Sequence, residues 1–216
     1  MVALSADTLS KMIKNKNKKD LLLIHGAWSS KTIFNYLSDK LEQKCKSLGD
    51  VYHGEYCINS CSVDVISSRL YHTLELAKRD VVIVAHSMGG LLALDLECHP
   101  KVASIITVAS PLDGLDLHKF IQMFLTYRSP NMADVLRMSN YVNKIQNKEY
   151  TKPIKCVITT EGYNPAWYEK SDGVVTINSQ KRWTPPNATL HYMQYNHHEI
   201  VQSPELFELV KGEIEQ

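Results

Sequence analysis

The sequence predicts an α/β fold with a mostly parallel central sheet of about six strands and helices on both faces. Three observations carry that reading. Short apolar, β-branched runs alternate with stretches whose apolar residues recur at helical spacing, the pattern of strands joined by helical crossovers. The run Val81-Val82-Ile83-Val84-Ala85 is apolar at every position, as a strand covered on both faces must be. It ends in His86-Ser87-Met88-Gly89-Gly90, and the helix-forming Leu91-Leu92-Ala93-Leu94 follows at once. Ala85, Gly89 and Gly90 are small enough for a sharp corner between strand and helix, with Ser87 presented at its tip.

The elements follow in chain order. Residues 3–14 are expected to form a short amphipathic helix with Leu4, Leu9, Met12 and Ile13 on one face. Lys11 to Lys19, rich in Lys and Asn, reads as a solvated helix end. Asp20 to Ile24 is a short buried strand, closed by His25-Gly26-Ala27-Trp28-Ser29-Ser30. Ser30 is expected to cap a helix in which Ile33, Phe34, Leu37 and Leu41 share a face, and Gly49-Asp50 to end it. Val51 to Cys57 reads as a second strand of mixed polarity. Ser62 to Lys78 reads as a helix with Val65, Ile66, Leu70, Leu74 and Ala77 on one side. The helix after Ser87 should run to about His99, where Pro100 stops it. Val102 to Val108 is another buried strand, ending in Ala109-Ser110-Pro111. Residues 154–160 and 188–192 supply two more strands, and Pro204 suits the first turn of a last helix to about Glu213.

Residues 112–152 break this rhythm. Leu117, Phe120, Ile121, Phe124 and Leu125 keep the spacing of one apolar helix face, and Met132, Val135, Leu136, Val142 and Ile145 suggest a second helix. Arg128-Ser129-Pro130-Asn131 would turn between them. Two outcomes are open: a small helical cap or lid over the sheet edge, or two faces packed on the sheet itself.

Composition sets the limits. The chain has 216 residues, enough for a single domain over 1–216 that buries about 70% of its unfolded surface. A formal charge of +1 gives no field favouring nucleic acid. No apolar signal core opens the chain and no stretch approaches the ~20 apolar residues that span a bilayer, so a cytoplasmic protein is expected. The five cysteines form no C-x-x-C pair and are expected as free thiols in a reducing compartment. His53, Cys57 and Cys61 are spaced by four, but they fall on a strand and its exit loop. No metal is therefore expected.

The chemistry gathers at strand exits. Ala85-His86-Ser87-Met88-Gly89 has the form of a nucleophile elbow, G-x-S-x-G, with alanine for the first glycine. A serine hydroxyl needs a base, and the base needs an orienting partner. Ser171-Asp172-Gly173-Val174-Val175 follows the strand at 154–160, and Asn196-His197-His198-Glu199-Ile200-Val201 follows the last strand. His198 competes with His197 for the base, and Asp113 and Asp116 are fallbacks for Asp172.

These motifs resemble the α/β-hydrolases, and within them the small lipase/esterase kind. The chain from about Leu21 onward is covered by this resemblance. Val84-Ala85-His86-Ser87-Met88-Gly89-Gly90 is similar to the elbow of minimal bacterial lipases. Ser171 to Val175 is similar to their acid loop, and His25-Gly26-Ala27-Trp28 to the oxyanion loop. The order serine, aspartate, histidine is the one this fold uses. The resemblance implies an ester-cleaving serine hydrolase with Ser87, Asp172 and His197 catalytic and with oxyanion donors at the backbone N–H groups of Ala27 and Met88. It implies no cofactor. The loop departs from the common His-Gly-x-x-Gly form, since serine replaces its last glycine.

Trp28, Phe120, Met123 and Phe124 are the candidate substrate-binding residues. The expected partner is a small-molecule or lipid ester, with transient contact at a membrane surface compatible with the apolar insertion. A thioesterase, amidase, acyltransferase or lipid deacylase would use the same triad, and a catalytically silent binding module would keep only the fold.

Overall fold

The computed structural model describes residues 18–116, 127, 129–164 and 169–216. Six strands form one sheet: β1 (Lys19–Ile24), β2 (Leu48–Gly54), β3 (Val81–His86), β4 (Val102–Val108), β5 (Ile154–Thr159) and β6 (Ala188–Met193). Their order is β2-β1-β3-β4-β5-β6, and every pairing is parallel. Six described helices are α1 (Asn35–Lys44), α2 (Val63–Leu76), α3 (Gly89–Asp95), α4 (Asn140–Gln146), α5 (Ile177–Lys181) and α6 (Pro204–Glu215).

Strand periodicity divides the core into two layers. Leu22, Ile24, Ile83 and Ala85 face one side, where they pack with Ile66, Leu70 and Leu74 of α2, Leu91 to Leu94 of α3, and Val142 and Ile145 of α4. Leu21, Leu23, Val82 and Val84 face the other, against Leu37 and Leu41 of α1 and Leu206, Phe207, Val210 and Ile214 of α6. Successive strand residues point to opposite faces, so a strand apolar throughout feeds both layers. Each fully buried Leu, Ile or Val contributes about 1.5–3 kcal/mol of transfer free energy. Parallel pairing also carries every strand's carboxyl end to one edge of the sheet.

Local caps set several helix starts. Ser62, Ser139, Thr176 and Ser203 each accept a backbone N–H three residues on, from Val65, Val142, Ser179 and Leu206. Ser30 does not act as expected: it precedes a 3-10 turn at Lys31–Phe34, and its hydroxyl bonds to that of Thr32 instead. The helix after Ser87 is also shorter than expected, ending at Asp95. Val65, expected among the buried face of α2, is 43% exposed, while Val63 takes the buried place.

Gly49 and Asp50, read above as a helix stop, lie inside β2. The cause is a contact far along the chain. Asp20, fully buried at the amino end of β1, accepts the Asp50 N–H at 2.9 Å and so draws β2 alongside. The same carboxylate accepts the N–H groups of Lys78 (3.0 Å) and Arg79 (3.2 Å) and pairs with the Arg79 guanidinium at 2.7 Å. Burial pushes its pKa up, but these hydrogen bonds and the Arg79 charge outweigh burial and hold it below the usual carboxylate range.

In the segment after β4, the second expected helix is split. A 3-10 turn spans Pro130–Val135, and α4 begins afresh at Asn140 after Met138, which takes a left-handed φ of 63°. Residues 3–14 and 117–125 lie outside the described residues. All five cysteines are free. Among the described residues no helix is long and apolar enough to cross a membrane.

Asp20 gives a test of this framework. Asp20→Ala removes the acceptor of three N–H groups and the nearer of the two carboxylates that pair with Arg79, and should cost about 3–5 kcal/mol in urea denaturation at neutral pH. The folded pKa lies below the unfolded value of about 3.9, so the wild-type contribution is in place above that value. It is lost as pH falls through the folded pKa, and the gap between wild type and variant should close there.

Candidate active site

Ser87 stands where β3 gives way to α3. Its φ of 56° is left-handed, a conformation that costs a non-glycine residue about 1–3 kcal/mol and must be held by its surroundings. Its N–H is tied to the Val108 carbonyl of the neighbouring strand at 2.8 Å. Two glycines make room for the turn. A Cβ at Gly89 would stand 2.6 Å from the carbonyl oxygens of Ile24 and His25, and one at Gly26 only 2.8 Å from Ser87 Cβ. Helix α3 and the loop after β1 therefore close on the serine from two sides.

Asp172 and His197 come from the last two strand exits. Asp172 is 1% exposed, and both of its oxygens are occupied. Oδ1 accepts the N–H groups of Val174 (3.0 Å) and Val175 (2.7 Å). Oδ2 accepts the Thr159 hydroxyl (2.6 Å), the Gln180 amide (3.2 Å) and His197 Nδ1 (2.8 Å). Burial pushes the Asp172 carboxyl up. The hydrogen bonds from His197, the Thr159 hydroxyl and the Val175 N–H outweigh it, so the net shift is down and the group is a carboxylate at neutral pH. A carboxylate can only accept, so His197 carries its proton on Nδ1 and leaves Nε2 as the basic nitrogen. The His197 N–H also donates to the Asp172 carbonyl at 2.9 Å.

Ser87 and His197 line the same cavity, of about 300 Å³. Ala27, Trp28 and Met88 line it as well, and Leu115, Met132 and Val135 supply part of an apolar wall. The backbone hydrogen bonds at the corner run from Ser87 N to Val108 O, Gly90 N to Ser87 O and Leu91 N to Met88 O. Among the described residues none uses the N–H of Ala27 or Met88 as donor.

The loop after β1 is braced by the segment after β2. His25 Nδ1 donates to the Gly26 carbonyl at 2.7 Å, which leaves Nε2 to accept the Tyr56 N–H at 3.4 Å. The Tyr56 hydroxyl donates to the His25 carbonyl at 2.7 Å, and the two rings stack at 4.3 Å. Trp28, 55% exposed with a left-handed φ of 53°, is held by its indole N–H on Asn59 Oδ1 at 3.1 Å.

Among the competing candidates, His198 is exposed at the cavity and it is His197 that meets Asp172. Asp113 is taken up by Arg137 and Arg182, each at 3.2 Å, and Asp116 by Arg137 at 3.0 Å. Phe120, Met123 and Phe124 lie outside the described residues. His53 sits in β2 and Cys57 and Cys61 in the loop beyond it, and among the described residues no group of three His, Cys, Asp or Glu side chains is placed to hold a metal ion. Thr159, Gln180, Tyr56 and Asn59 escaped the sequence reading. Only Thr159 left a trace, as a hydroxyl closing an apolar strand.

The sequence profile of the alpha/beta hydrolase family matches residues 21–196, and the chain belongs to that family. No curated protein matches it significantly by sequence. Among solved structures it is similar to a lipase-esterase related protein from Clostridium acetobutylicum, at 14% identity and TM-score 0.61, covering 93% of this chain and 94% of that one. It is also similar to Aspergillus fumigatus lipase B, at 13% identity and TM-score 0.67, covering 94% of this chain and 54% of that one. Phospholipase PlaB from Legionella pneumophila resembles it at 15% identity and TM-score 0.59, over 76% of this chain and 46% of that one. At these identities the likeness is one of fold.

Thr159 tests the electrostatics of the site. Thr159→Val deletes one donor to a buried carboxylate and should destabilise the protein by about 1.5–3 kcal/mol at neutral pH. The donor favours the ionised form, so the deficit should shrink as pH falls through the folded Asp172 pKa. Urea denaturation in a pH series running from neutral into the acid range reads the difference.

Proposed function

We propose that this chain is a serine hydrolase that cleaves carboxylic esters, with Ser87 as nucleophile, His197 as general base and acid, and Asp172 as its orienting carboxylate. The observation that carries this reading is the shared cavity. It holds a serine at a left-handed strand-to-helix corner and a histidine whose Nδ1 is fixed on a buried carboxylate. Nε2 takes the Ser87 proton as Oγ attacks the acyl carbon, and Asp172 stabilises the imidazolium that forms. The N–H groups of Ala27 and Met88 receive the developing oxyanion; one such donor is typically worth about 10²–10³ in rate. His197 then protonates the leaving alcohol, and water, activated by the same nitrogen, releases the acid and frees Ser87. The apolar wall from Leu115, Met132 and Val135 favours an acyl chain over a polar group. Lipase and phospholipase names among the fold's neighbours agree with ester substrates.

Ser87→Ala should lower p-nitrophenyl ester turnover on the order of 10⁴–10⁶-fold with the melting transition intact. A fluorophosphonate should label wild type at Ser87 and leave the variant unmodified. An unlabelled, folded wild type would contradict the proposal. Acyl-thioesters assayed beside esters of increasing chain length identify the preferred leaving group.

A further inference from the structure

His86 lines the cavity beside Ser87, yet the reaction proposed above gives it no task. It is 2% exposed, at the last position of β3. Its Nε2 lies 2.7 Å from the backbone carbonyl oxygen of His197, across 111 residues of chain. The two imidazole rings also pack together, with centroids 4.6 Å apart and planes tilted by 53°. A carbonyl only accepts, so Nε2 carries the His86 proton and Nδ1 is bare. Among the described residues that buried Nδ1 has no hydrogen-bond partner.

This arrangement admits one protonation state. A proton on Nδ1 would put a second N–H in a buried place with no acceptor, and a cation beside the imidazolium that His197 becomes during catalysis. Burial, and next the neighbouring His197, push the His86 pKa down to about 3. So weak a base is no rival to His197 for the Ser87 proton. His86 does something else.

We propose that His86 is the positioning residue for His197: its Nε2–H holds the His197 carbonyl while its ring backs the His197 imidazole. The inference rests on the assignment of His197 as the base. With it, His197 is fixed at its N–H by the Asp172 carbonyl, at Nδ1 by the Asp172 carboxylate and at its carbonyl by His86. Only Nε2 is left for chemistry. The residue directly before the nucleophile thereby sets the base relative to it, through one short link across the sheet edge. Near-attack geometry is demanding, and a misplacement of about 1 Å can cost roughly 10²-fold.

His86→Phe keeps a ring and deletes the donor, whereas His86→Gln offers an amide N–H toward the same carbonyl. His86→Phe should lower kcat for a p-nitrophenyl ester about 10–100-fold with KM changed less than about twofold, and His86→Gln should recover most of that loss. In the resting protein the downfield proton resonance of His197 Nδ1–H, sharp in wild type and in His86→Gln, should broaden in His86→Phe. Wild-type kcat with an unchanged resonance in folded His86→Phe would overturn the proposal, as would equal damage in both variants. If neither variant folds, the imidazole nitrogen spectrum of wild type decides: His86 must be neutral with its proton on Nε2, and a proton on Nδ1 overturns the proposal. Failure of the proposed function would appear separately, as wild type that neither labels at Ser87 nor turns over esters.

Discussion

One buried carboxylate joins the parts of this molecule that chemistry needs together. Asp172 accepts five hydrogen bonds, from the end of β5 (Thr159), from α5 (Gln180), from its own loop (Val174 and Val175) and from the His197 ring. Burying a charge is expensive unless each lone pair finds a donor, and here the donors are drawn from separate elements. The carboxylate therefore acts on the fold as well as on His197. It fixes the loop after β5 against α5 and sets the exit of β6 beside that of β5.

That hub sits at one end of a parallel sheet, and the sheet explains why the site is there. Carboxyl ends of β1, β3, β5 and β6 share an edge, and the residues after them are those proposed as oxyanion loop, nucleophile, acid and base in turn. Left-handed φ angles at Trp28 and Ser87 fall at the first two of these exits, and one at Ala109 falls at the exit of β4. Such conformations persist only where packing holds them. Tyr56 and Asn59 hold the first loop, and the Val108 carbonyl holds the second. At the opposite end, Asp20 locks the entries of β1 and β2 to the turn before β3. One end is stabilised by a satisfied ion pair, and the other carries the strain.

What could be read from sequence was what is local. β4 spans Val102–Val108 as its apolar run implies, and β1, β3 and β5 begin and end within two residues of theirs, because a strand covered on both faces must be apolar throughout. The serine corner was legible because a strand, small residues and a helix follow one another within about fifteen positions. Elements decided by distant partners were not legible. Gly49 and Asp50 look like a helix stop until Asp20, thirty residues away, takes the Asp50 N–H. α5 has five residues, too few to show a period, and depends on the Thr176 cap. Within the site the same division holds. Ser87, Asp172 and His197 each stand in a short motif, whereas Thr159 and Gln180 reach Asp172 only because β5 and α5 flank it. His86 meets His197 only because the exits of β3 and β6, with two strands between them, lie on the same edge of the sheet.

The central claim is that Ser87 becomes covalently acylated during turnover. Mixing the protein with a p-nitrophenyl ester, quenching in acid within milliseconds and mapping the peptides by mass spectrometry tests it most directly. An increment equal to the acyl group on the peptide containing Ser87, gone once substrate is exhausted, is the predicted result. Ester turnover with no acylated peptide at any time after mixing, or with the acyl group on a residue other than Ser87, would contradict it.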